Sequence, residues 1–216
     1  MVNTTNRDAA ILSDIRTKII ADILNDKSEM LKRVFFCLVN QNWRAKEGLV
    51  SRQICKELKY IYKLDVSDIF GGGCVLVLKL EHLVSSGITE EELYKAALEN
   101  TQKMFPADIM DMSDFLEMDM PMEVKVVTNR PSIFGATVIT YPGVANRLKE
   151  LLGDFVIMPV SIHELLAINP ALVDGGVKKL CEMVKEVNSS TVKPEEQLSD
   201  HVYKIDDKGN MVGIYM

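Results

Sequence analysis

The stretch Leu58-Lys59-Tyr60-Ile61-Tyr62-Lys63-Leu64-Asp65, continued through Ser67-Asp68-Ile69-Phe70-Gly71-Gly72-Gly73 into Cys74-Val75-Leu76-Val77-Leu78, decides the fold class. Leu58, Tyr60, Tyr62 and Leu64 alternate with Lys59, Ile61, Lys63 and Asp65, which predicts a strand over 57–66. Residues 73–83 read as a second strand. A glycine-rich loop between two such runs predicts a hairpin. Gly71–Gly73 is not a phosphate cradle, because the Lys-Ser/Thr that ends a P-loop is missing.

Upstream, Leu12, Ile15, Ile19 and Ile23 recur at helical spacing, so 8–25 reads as a helix with Asp8 as N-cap and Asn25 as stop. Residues 29–40 suit a helix through Met30, Leu31, Val34, Phe35 and Leu38, yet Val34–Val39 alone passes as a buried strand. Downstream, Thr89 and Glu92 form a capping box that opens a helix to about Lys103. Residues 104–124 contain no Lys or Arg, carry six carboxylates and interleave methionines, and 104–122 is taken as an acidic linker between the halves 1–103 and 123–216. Met118, Met120 and Met122 offer thioethers to Cu(I), although methionines at such spacing more often pack adaptively.

The second half predicts a hairpin from 123–129 and 133–140, a helix from Tyr141-Pro142-Gly143 to Gly153, a strand at Phe155–Val160, a short helix over Ser161–Ala167, and a longer helix over 176–187. Strands near 199–205 and 211–215 then close the chain around Asp206–Asn210. The order predicts an α+β fold: a mostly antiparallel sheet built from hairpins, with helices packed on it and a helical segment at the N-terminus.

The composition of the 216 residues is ordinary for a globular chain, 47% hydrophobic and 26% charged, with a net charge of −6. That excludes a wholly disordered chain and argues against nucleic-acid binding through overall charge, but not through a local patch. Cys37, Cys55, Cys74 and Cys181 form no CxxC pair, so no zinc ribbon or redox pair is suggested. No basic n-region followed by an apolar stretch marks the N-terminus, and no apolar run reaches membrane-spanning length. The expectation is a cytoplasmic protein with no membrane partner and no cofactor.

Candidate chemistry is sparse. Ser161-Ile162-His163-Glu164 invites a triad, but Ser161 and Glu164 have capping-box spacing, and neighbours on a helix such as His163 and Glu164 point about 100° apart. Asp200-His201 stands at the start of the closing hairpin, where alternation turns the two to opposite faces. His82, His163 and His201 all fall at element ends, where three imidazoles could converge on a zinc ion. Residues 32–63 hold eight basic residues against two acidic ones, and Trp43, Arg44, Lys46, Arg52, Lys56 and Lys59 are the candidate binding residues for phosphates or an acidic protein.

Several of these motifs occur in a familiar order. Leu80-Glu81-His82-Leu83 precedes Gly87-Ile88-Thr89-Glu90-Glu91-Glu92. Met158-Pro159-Val160-Ser161-Ile162-His163-Glu164 and Leu198-Ser199-Asp200-His201-Val202-Tyr203 follow. The chain resembles an uncharacterised bacterial family, a domain of unknown function common in clostridia and often found near mobile elements. The resemblance implies no reaction, cofactor or substrate, but it places all three histidines at motif positions. The family's Pro-His-containing segment before the first hairpin is replaced here by Val50-Ser51-Arg52-Gln53-Ile54-Cys55.

Three functions follow as expectations. The first is a protein-binding, regulatory module, in a mobile-element setting an inhibitor of a host defence nuclease. The second is a metal-assisted hydrolase using His163 and His201, oriented by Glu164 and Asp200. The third is a nucleic-acid binder acting through 32–63.

Overall fold

The computed structural model describes residues 3–45, 47–119 and 122–215, with side chains from residue 12 onward. In chain order the elements are helix α1 (Asn3–Asn25), helix α2 (Lys27–Arg33), strand β1 (Val34–Asn40), strand β2 (Ser51–Gln53), strand β3 (Leu58–Asp65), helix α3 (Ser67–Phe70), strand β4 (Val75–Val77), helix α4 (Leu80–Ser86), helix α5 (Glu90–Met104), strand β5 (Ala107–Asp111), helix α6 (Met112–Leu116) and strand β6 (Val124–Asn129). A 3-10 helix at Gly135–Thr140 follows, then helix α7 (Val144–Leu152), strands β7 (Val156–Met158) and β8 (Leu165–Ile168), a 3-10 turn at Pro170–Leu172, helix α8 (Gly176–Ser190), and strands β9 (Val202–Ile205) and β10 (Met211–Ile214). One sheet runs β1-β3-β2 with β4 on β3, and the other runs β10-β9-β7-β8-β6-β5 through antiparallel pairs. The fold is α+β. No helix among the described residues is long and apolar enough to cross a membrane.

The chain forms two compact units. The first comprises Met1–Phe35, Lys46–Val50 and Tyr62–Asn100. Both readings of 29–40 hold in turn, helix to Arg33 and strand from Val34, and the Asp26 carboxylate caps α2 through the N–H groups of Ser28 and Glu29 at 2.8 and 3.1 Å. Asn100 closes the other end of α2, donating its amide to the carbonyls of Leu31, Lys32 and Val34. β3 pairs antiparallel with β4, the predicted hairpin. The second strand is shorter than expected, because Lys79 N–H donates to Nδ1 of His82 at 3.1 Å and the chain winds into α4. Asp8 is not an N-cap. With no Gly or Pro between Asn3 and Arg7, the helix starts upstream of it.

The second unit comprises Phe36–Ala45, Ser51–Ile61 and Thr101–Met216. Val124, Val156, Met158, Ile168 and Val202 of the six-stranded sheet pack against Leu180, Cys181 and Val184, the apolar stripe of α8. β5 pairs with β6 along its whole length, so the acidic stretch 104–122 contributes a strand and the short helix α6. Met122 packs against the sheet core while Met118 is exposed, which separates two of the three thioethers; Met120 lies outside the described residues.

Two expected elements are replaced. Residues 135–140 form a 3-10 helix and not the second arm of a hairpin. Asn129 holds the preceding turn by exchanging hydrogen bonds with Ile133, Phe134 sits at φ 57°, and Gly135 passes so close to His163 O and Thr128 Oγ1 that only glycine fits. The partners of β6 are β5 and β8 instead. Ser161–Ala167 is not a helix either. Ser161 N–H bonds to Glu164 O at 3.1 Å, closing a turn that sends Leu165–Ile168 back as a strand between β6 and β7.

Candidate functional site

In the second unit the carboxylate of Glu57, on the turn between β2 and β3, gathers three side chains from a distant segment. Its Oε2 accepts from Ser199 Oγ at 2.5 Å, from Tyr203 Oη at 3.1 Å and pairs with His201 Nδ1 at 3.0 Å. Tyr203 Oη also donates to Ser199 Oγ at 2.9 Å, and Ser199 Oγ takes the backbone N–H of His201 at 3.0 Å. Burial pushes the Glu57 carboxyl up, but the hydrogen bonds from Ser199, His201 and Tyr203 outweigh it and hold the group below its ordinary value. Burial drives the Tyr203 phenol well above its ordinary range, so it stays a donor.

Local sequence makes this possible. Leu198 and Tyr203 are fully buried, anchoring both ends of the segment between them, so Ser199 and His201 are delivered to one place just before β9. Asn188 of α8 steadies it, donating its amide to Ser199 O and to Asp200 Oδ1 at 3.0 and 2.7 Å. Asp200 is thereby corrected as the orienting partner of His201: its carboxylate faces Asn188, and Glu57 takes the imidazole. Outside the network, the His201 ring lies 4.6 Å from the Tyr215 ring, and the Lys56 ammonium lies 4.8 Å from that ring's centroid.

This is not a serine triad. Ser199 gives its proton to the carboxylate and not to the imidazole, so nothing activates the oxygen as a nucleophile. A carboxylate only accepts, so His201 donates from Nδ1, and in the neutral imidazole the lone pair is then on Nε2.

Glu57 also reaches a neighbouring groove. Its carbonyl accepts the N–H of Gln41 at 2.6 Å, just beyond β1, and Asn40 Nδ2 donates to Leu198 O at 2.7 Å. Between these ties opens a cavity of about 470 Å³ lined by Asn40, Asn42, Trp43 and Arg44 on one side and Pro194, Glu195 and Gln197 on the other. The Arg44 guanidinium lies 5.2 Å from the Trp43 ring centroid, and its backbone is held at φ 42°, a left-handed conformation that costs a non-glycine residue about 1–3 kcal/mol.

The remaining candidates have separate settings. His163 accepts the N–H of Phe134 on Nδ1 at 3.4 Å, its Nε2 faces Glu196 at 4.0 Å, and it lines a second concavity of about 490 Å³. Glu164 does not orient it; that carboxylate takes the Ser161 hydroxyl at 2.6 Å. His82 belongs to the first unit and caps α4, with burial lowering its pKa. His163 and His201 share no hydrogen-bond or ion-pair partner, and among the described residues no group of three or more His, Cys, Asp or Glu is arranged to hold a metal ion. The basic stretch is not one open face: Lys59 and Lys63 are buried in β3, burial lowers the pKa of Lys59, and Arg33 is engaged by Asp68. Lys56 is exposed, Arg52 half-buried, and Lys46 lies outside the described residues. Glu57 escaped the sequence reading because its three partners lie more than a hundred residues away; the motif Leu198-Ser199-Asp200-His201-Val202-Tyr203 was its one local signal.

No curated protein and no solved structure matches this chain. Residues 5–207 match a family of unknown function, DUF5688, and the chain belongs to that family.

Proposed function

We propose that the protein is a binding module that receives an extended segment of a partner protein in the Trp43–Arg44 groove. The observation that carries this is the groove itself: an aromatic ring and a guanidinium on a strained loop, facing a proline and a carboxylate, with the exposed Asn42 beside them and the Asn40 and Gln197 amides bonded to backbone carbonyls of the walls. Trp and Arg are the residues that most often dominate binding energy at protein interfaces. On this reading the protein is a small cytoplasmic regulatory module acting by occupancy. The resemblance to a clostridial, mobile-element-associated family supports the finer version, in which the partner is a host defence nuclease. A hydrolase built on His163 and His201 together draws no support from their separate settings, and a nucleic-acid face along all of 32–63 loses Lys59 and Lys63 to the interior.

The chain has a single tryptophan, so its fluorescence reports on the groove directly. Peptides selected from a display library against the full chain should give a saturable change in that signal. Trp43→Ala, followed by calorimetry, should weaken the same peptides by about 30-fold or more. Peptides that bind the variant as tightly as the wild type would place recognition elsewhere and end this reading.

A further inference from the structure

We propose that the surface around His201 is a catalytic site that cleaves single-stranded RNA, with Nε2 of His201 as the general base. The imidazole is already oriented for that task, because Glu57 at 3.0 Å fixes its proton on Nδ1. The His201 side chain is 24% exposed, so the imidazole is a group that solvent and substrate can approach.

The choice of substrate follows from what the protein supplies and what it does not. Ser199, a hydroxyl of the network, is bonded to the carboxylate and is no nucleophile. The base therefore acts on a hydroxyl that the substrate brings, and RNA carries one next to every phosphate. The Tyr215 ring, 45% exposed and 4.6 Å from the imidazole, is a platform on which an unpaired base can stack. The Lys56 ammonium beside the same ring offers a countercharge to the phosphate. Neither the groove at Trp43 nor the concavity at His163 is lined by His201, so this site is separate from both.

In the step, Nε2 takes the proton of a 2′-hydroxyl as that oxygen forms a bond to the adjacent phosphorus. The bond from phosphorus to O5′ breaks, and the departing O5′ takes a proton from the Lys56 ammonium. The products are a 2′,3′-cyclic phosphate and a 5′-hydroxyl, and solvent exchange resets imidazole and amine. His201 is the catalytic residue in contact with the reacting hydroxyl. Glu57 is a positioning residue that acts through it.

The test uses the full chain and an end-labelled single-stranded oligoribonucleotide, with the all-deoxy oligomer of the same sequence beside it. Cleavage of the ribo-oligomer alone, with cyclic phosphate ends, is expected. His201→Ala should lower the rate by about 10²–10⁴-fold. Glu57→Gln should lower kcat with KM unchanged, a split that a merely structural role would not produce. Circular dichroism and the Trp43 signal establish that each variant is folded; if His201→Ala is not, His201→Gln takes its place. Three results overturn the proposal: no cleavage by the folded wild type, undiminished cleavage by the folded His201 variant, or equal cleavage of the deoxy oligomer.

Discussion

Glu57 and His201 are 144 residues apart in the chain and 3.0 Å apart in the fold. The same carboxylate oxygen takes the Ser199 and Tyr203 hydroxyls, so a turn of the small sheet and the start of β9 are held by one side chain. The backbone carbonyl of Glu57 holds Gln41 in turn, at the foot of the loop that carries Trp43.

The network makes stability depend on pH in a definite direction. The folded Glu57 carboxyl lies below its ordinary value of 4.5, so between the two values the unfolded chain binds more protons. Its contribution is complete above that ordinary value and is lost as pH falls through the folded one. Denaturant unfolding of wild type and Glu57→Gln from neutral pH to pH 3 should show a stability gap that narrows on acidification; a gap that stays constant would contradict this account.

Tyr203 should be energetically coupled to Glu57. Tyr203→Phe removes a donor to both Glu57 and Ser199 from a fully buried position and is expected to cost about 1–2 kcal/mol. In a double-mutant cycle with Glu57→Gln, the two losses should fall short of adding by about 0.5–3 kcal/mol. Strict additivity would mean that the hydroxyl and the carboxylate act independently.

Gly135 is a position where one methyl group decides the local fold. A Cβ there would stand 2.2 Å from both His163 O and Thr128 Oγ1, and 2.9 Å from Asn129 N. Thr128 Oγ1 also donates to His163 O at 2.8 Å, so the clash falls on an existing hydrogen bond. Gly135→Ala should destabilise by about 2 kcal/mol or more, seen as a lower denaturant midpoint at unchanged slope.

The start of α5 offers a local control. Thr89 N–H donates to Glu92 Oε2 at 3.1 Å, and Glu92 N–H donates to Thr89 Oγ1 at 3.3 Å. The Lys27 ammonium, 2.7 Å from Glu92, and the bonds from Thr89 hold that carboxyl down to about 2. Thr89→Ala should cost about 1 kcal/mol in thermal unfolding. Lys27→Ala should raise the Glu92 titration midpoint, followed by carbonyl NMR, towards 4.5, so any support from the ion pair is lost as pH falls below that ordinary value.

Elements governed by near neighbours were legible before any coordinates. The alternation of Leu58 to Asp65 yields β3, the Thr89 capping box opens α5, Gly153 ends α7, and the turn Asp206–Asn210 joins β9 to β10. Each depends on contacts within a few residues, so the information is in the string itself. The misread segments share the opposite property. Thr137-Val138-Ile139-Thr140 is β-branched enough to suggest a strand, yet it winds into a 3-10 turn because Gly135 must pass under the His163 carbonyl. Ser161 and Glu164 do bond, as their spacing suggests, but the bond closes a turn between strands, since both neighbours of β8 are strands waiting for a partner.

The candidate site divides in the same way. His201 stood out as one of three histidines, and Trp43 as the single tryptophan of a basic stretch. The sequence alone determined the α+β class, most element positions and those two side chains, because period, caps and turn residues act over short range. Only the tertiary structure decided that Glu57, and not Asp200, holds the imidazole, and that Lys59 is interior while Lys56 is not. Those outcomes turn on which distant segments pack together, and the pairing of a carboxylate with an imidazole more than a hundred residues away is set by the burial of Leu198 and Tyr203 beside it.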